Sequence, residues 1–111
     1  MLINPRSSDE VRDLVAREIG ALANRELAAR ILPLLRPPVR QTLHWEYGNN
    51  EPFTAWRFAD LGEHDVWAAY CAFGHGSLGY PWGLVSSKDV YFGTDCGWYR
   101  EMRDLFEEWF L

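Results

Sequence analysis

Apolar residues in the first third of the chain recur at helical spacing. Val11, Leu14, Val15, Ile19 and Leu22 fall on one face of a helix. Ser7 to Glu10, just ahead of them, has the S-x-x-E form of a capping box, with acids in the first turn where the helix dipole favours them. The stripe loses phase around Asn24 and resumes with Leu27, Ala28, Ile31 and Leu32, which predicts either two helices or one bent helix within 7–35. Pro33, Pro37 and Pro38 end the helical region, because proline donates no N–H and restricts the residue before it.

From residue 39 the period drops to two. Val39, Leu43, Trp45 and Tyr47 share one face of a half-buried strand, and Arg40, Thr42, His44 and Glu46 the other. Residues 48–52 carry turn chemistry, 53–61 read as a second strand, and 65–73 as a third that is apolar on both faces and therefore central. Residues 82–87 give a fourth strand and 90–93 a fifth. Trp98, Met102, Leu105, Phe106, Trp109 and Phe110 then form an apolar stripe opposite charged residues, predicting an amphipathic helix over 96–110 capped by Thr94 or Asp95. The expected fold is a single α+β domain, residues 1–111. Its antiparallel sheet of four to five strands, within 39–92, carries an N-terminal helix or helix pair and a C-terminal helix packed on it.

Composition narrows the function. The 111 residues are 48% hydrophobic and 15% aromatic, enough for one core. The N-terminus lacks the basic and apolar regions of a secretion signal and no apolar run approaches a membrane span, so a cytoplasmic location and no membrane partner are expected. Charge is divided unevenly. Residues 1–40 hold seven arginines against five acids, and residues 41–111 four bases against eleven acids. The second part repels nucleic acid and attracts a basic partner.

Gly74, Gly76 and Gly79 spell G-x-G-x-x-G. A dinucleotide site needs a helix N-terminus immediately after the glycines, and Pro81 with the β-favouring residues that follow does not start one. The glycines are expected to shape a hairpin loop, and no cofactor is expected. Ser77 lacks the same strand-to-helix context for a nucleophile elbow. The histidines and cysteines lack the short paired spacings of a metal site, so no metal is expected.

Cys96 precedes the expected last helix, where unpaired N–H groups lower a thiol pKa. His44-Trp45, Asp60 and Asp95-Cys96-Gly97 resemble, in order, the signatures of the SUMO-processing cysteine proteases. The resemblance implies His44 as general base, Asp60 as its orienter and Cys96 as nucleophile. That family also places a glutamine shortly before the cysteine and needs a domain roughly twice as long; residues 86–93 hold no glutamine. A cysteine hydrolase is therefore the alternative.

Residues 80–85, Tyr-Pro-Trp-Gly-Leu-Val, followed by 93–99 leading into a short helix, resemble small bacterial proteins of immunity or inhibitor type. The resemblance implies a non-catalytic domain that covers a basic toxin surface. The contact residues expected for it are Glu46, Asp60, Glu63, Asp65 and Asp95 as acids, with Tyr80, Trp82 and Trp98 as aromatic anchors near element ends. A further alternative is a small-ligand domain with an apolar pocket between sheet and helix.

Overall fold

The computed structural model of the chain describes residues 3–74, 79–93 and 95–111, with backbone alone at Asp95. The N-terminal region forms two helices, α1 (Ser8–Gly20) and α2 (Arg25–Ile31). Ser7 Oγ accepts from the Glu10 N–H at 3.2 Å, while the Glu10 carboxylate turns back to the Arg6 N–H. Asn24, where the stripe loses phase, caps α2: its Oδ1 accepts from the Leu27 N–H at 3.0 Å. Arg25 secures the break by donating Nη1 to the carbonyls of Ile19, in the last turn of α1, and Leu22, just beyond it.

A 3-10 turn, Leu32–Leu34, leads into β1 (Leu35–His44). Then come β2 (Pro52–Asp60), β3 (Val66–Tyr70), β4 (Trp82–Ser86) and the two-residue β5 (Trp98–Tyr99). These five strands make one antiparallel sheet in the order β1-β2-β3-β4-β5. Helix α3 (Met102–Trp109) closes the chain. The architecture is α+β, as the periodicities predict.

Two boundaries differ from expectation, for one reason. Residues 90–93 do not supply the fifth strand; Tyr91 makes only an isolated bridge to His44. Trp98 and Tyr99, expected in the last helix, pair instead with Gly83 and Trp82. Gly83 has no side chain, so the Trp98 indole lies flat on its backbone; a Cβ there would stand 2.5 Å from Trp98 Cδ2. Burying that ring fixes residues 98–99 as strand and delays α3 to Met102. Glu101 then occupies its N-cap without a side-chain hydrogen bond, in place of Asp95 or Thr94, the latter outside the described residues.

The two sheet faces hold separate cores. On one, Val11, Ile19, Leu27 and Ile31 from the N-terminal helices and Leu105 and Phe106 from α3 close over Trp56, Phe58 and Trp82. A bulge in β2 between Arg57 and Ala59 lets both Phe58 and Ala59 face this layer, where strict alternation would send Ala59 away. On the other face, Leu43, Ala55, Ala69, Cys71 and Val85 pack under Phe92 and Trp98. The sheet coils toward this second face. Gln41 of β1 donates Nε2 to the carbonyls of Ser86 and Asp89, and the His44 N–H donates to the Val90 carbonyl, so the strap after β4 lies against β1.

Candidate functional site

The strap 86–93 and the β1–β2 hairpin together build the most exposed aromatic surface. Ring contacts run from Tyr47 to Trp45 at 5.2 Å, Trp45 to Phe92 at 5.8 Å, Phe92 to Phe53 at 5.9 Å and Phe53 to Phe73 at 5.1 Å between centroids. Most are edge-to-face, the arrangement the ring quadrupole favours. Phe92 is buried and anchors the row, while Tyr47 is 64%, Phe73 43%, Val90 55% and Tyr91 47% exposed. Beside them lies a shallow recess of about 480 Å³ that Glu46, Asp89 and Tyr91 help to line. Glu46 Oε1 accepts from the Gly93 N–H at 2.8 Å, and Asp89 Oδ2 accepts from the Ser86 N–H at 2.8 Å. Both carboxylates are thus fixed in place by backbone donors. The recess is lined by the carboxylates of Glu46 and Asp89, by Lys88, and by the apolar side chains of Val90, Tyr91 and Phe92.

The contact residues expected from the sequence are not brought together. Glu46 belongs to the recess, but Asp60 and Glu63 flank the β2–β3 turn at the other end of β2, where Asp60 Oδ1 accepts from the Gly62 N–H. Asp65 is committed to a latch. Held at φ 60°, it accepts from Trp67 Nε1 at 3.1 Å and, through Oδ2, from the Ser86 hydroxyl at 2.9 Å and from both the Ser87 N–H and hydroxyl. These donors favour the ionised form and hold its pKa down at about 2. Trp82 and Trp98 are 3% and 4% exposed, so both rings are core rather than surface. Tyr80 is half-buried with Arg100 over its ring at 5.6 Å, and the Asp95 side chain lies outside the described residues.

His44, Asp60 and Cys96 do not form a triad. His44 pairs with Pro52 at one end of β2 and Asp60 is the other end, on the order of 20–25 Å away at ~3.3 Å per residue. Asp60 cannot orient His44, whose Nδ1 lies 3.0 Å from the Asn50 carbonyl. Cys96 sits in the short 3-10 turn Asp95–Gly97, and α3 begins only at Met102, so the helix-start environment inferred for the thiol is absent. Cys71 is buried and its pKa is pushed up to about 12 by loss of water, an inert thiol. Among the described residues no three His, Cys, Asp or Glu side chains converge as a metal site.

Most of the glycine motif, residues 75–78, lies outside the described residues. At its ends, Gly79 has φ 80° and Gly74 abuts the Tyr80 carbonyl so closely that a Cβ would collide with it. Among the described residues no helix is long and apolar enough to cross a membrane.

Compared with protein-family models, with curated proteins and with solved structures, the chain matches none. Function must therefore be read from the site alone. The aromatic row is not legible along the chain, because Tyr47, Phe53, Phe73 and Phe92 come from separate segments that only the tertiary fold gathers. The local signal is Val90-Tyr91-Phe92, an apolar run after turn residues whose pattern predicts a strand.

Proposed function

We propose that the protein is a non-catalytic protein-binding domain of inhibitor type, and that it grips a basic partner with the aromatic end of its sheet. The observation that carries this reading is the outward set Tyr47, Phe73, Val90 and Tyr91 beside the Glu46–Asp89 recess. Exposed apolar side chains gathered at one end of a molecule mark an interaction site, and aromatic side chains are favoured energetic anchors. Tyr47 and Phe73 stand on a packed row of rings, so little side-chain entropy remains to be lost on binding. The recess has the charge and room for a lysine or arginine side chain of the partner. The eleven acids against four bases after residue 40 supply the longer-range attraction.

The test is comparative capture and kinetics with a basic protein retained by the native chain. A Tyr47→Ser, Tyr91→Ser double variant is expected to lose that protein by about 100-fold in affinity, as two anchors of about 1–2 kcal/mol each imply. Glu46→Lys should slow association and flatten its salt dependence. Charge reversal at Glu63, beyond the other end of β2, should slow association less than Glu46→Lys does and leave dissociation unchanged. Equal binding by the double variant would remove this surface from consideration.

A further inference from the structure

A second cleft lies on the helix side of the sheet, away from the aromatic end. Its origin is local. Arg36, Pro37 and Pro38 stand opposite the single residue Phe58, because β1 pairs through Leu35 with Ala59 and next through Val39 with Arg57. Two prolines cannot donate to the ladder, so the strand leaves β2 and opens a gap beneath α1. The gap has a volume of about 300 Å³ and a floor of Val15, Ile19, Leu32, Leu35 and Phe58. Leu32 remains exposed although it is large and apolar. Ser8 Oγ donates to the Pro38 carbonyl at 2.9 Å and pins α1 to the bulge.

The rim is basic. Arg12 is neutralised by Asp9 and Asp13 at 3.3 and 3.6 Å, but Arg25 and Arg36 make no ion pair among the described residues. Each gives Nη1 to backbone carbonyls, Arg25 to Ile19 and Leu22 and Arg36 to Pro33 and Leu35. Each guanidinium has five N–H donors in a planar fork, so donors remain for a planar anion.

We infer that this cleft is a binding site for a free amphiphilic carboxylate, an unbranched acid of about ten carbons, whose chain lies on the apolar floor and whose head group meets Arg25 and Arg36. The cavity holds roughly ten groups of about 30 Å³ each, which sets the chain length, and an apolar pocket with a few convergent polar groups is the usual form of such sites. Charge complementarity sets the head group. The site is independent of the aromatic end, and either can fail without the other.

Calorimetric titration with decanoate tests it, alongside decanol and decyltrimethylammonium of equal chain length, with amide shifts locating the site. Saturable one-to-one binding of decanoate is expected, with shifts confined to residues 12–25, 32–38 and 57–59. The other two amphiphiles should bind about tenfold more weakly or not at all. Ala16→Trp, which places a ring at the cleft wall from an exposed helix position, should abolish binding. Arg36→Glu, at an exposed position with only local contacts, should weaken it about tenfold while the circular dichroism spectrum stays native. Decanol or the cationic amphiphile binding as tightly as decanoate would overturn the proposal, as would unchanged binding by either variant. Co-sedimentation with anionic phospholipid vesicles under conditions where decanoate does not saturate would also overturn it, because the rim would then be a membrane-facing surface.

Discussion

Asp65 shows how one side chain holds two segments. It tolerates the left-handed backbone that closes the β2–β3 turn, as Asp does more readily than most residues, and from there reaches Ser86, Ser87 and Trp67. Its folded pKa of about 2 lies below the ordinary carboxylate value near ~3.9. A depressed pKa means that the latch stabilises the fold fully above about pH 4 and loses that contribution as pH falls toward 2. Thermal melts from pH 7 to 2 should therefore show a falling Tm, steepest below pH 4. Asp65→Asn should start lower at pH 7 and show a shallower fall over the same interval. A variant with the native slope would assign the acid sensitivity to other carboxylates.

At the level of elements, β5 depends on one ring over one glycine. Gly83→Ala puts a methyl group where the Trp98 indole lies, and an overpacked site of this kind costs about 1–3 kcal/mol. Trp98→Ala removes a buried ring together with the Nε1 donor that holds the Phe92 carbonyl at 2.9 Å, at a cost of about 3–5 kcal/mol. Urea unfolding followed by circular dichroism checks both. The pair Gly83→Ala, Trp98→Ala should cost less than the sum of the singles, because the clash disappears with the ring. Strict additivity would mean that the two residues do not meet. The start of α1 was legible for the opposite kind of reason: Ser7 acts on an N–H group three residues away, as Asn24 does at the phase break, so their role is written in local order.

For the molecule as a whole, the coil of the sheet decides which surfaces exist. Helices α1, α2 and α3 share one face, and the strap 86–93 with Trp98 packs on the other. The two cysteines report on this arrangement. Cys96 is exposed, whereas Cys71 is fully buried in the second core with its pKa at about 12. Thiol titration with an aromatic disulfide under native conditions should modify one group per chain rapidly, and the second only at the rate at which the strap-side core opens. Rapid reaction of both would show that the strap does not hold that face closed. The distance between His44 and Asp60 is likewise a property of the whole sheet: residues 16 apart in sequence end neighbouring strands at opposite ends of the β1–β2 ladder, and only the register of β1 on β2 reveals it.

The chain by itself determined what short-range physics writes into order: the caps at Ser7 and Asn24, the two-residue period of the strands, the amphipathic stripe of α3, and the acidic balance after residue 40. Tertiary structure decided the rest, because coiling and bulges act between strands rather than along them. The bulges at Arg36–Pro38 and Arg57–Ala59 reassign side chains to a face and open the basic cleft. The strap's hydrogen bonds to β1 expose Tyr91 beside Glu46 and bury Phe92. Burial of Trp98 followed from Gly83 on the neighbouring strand, and burial of Trp82 from Phe58 and Tyr70 on the helix side, pairings that no period along the chain encodes.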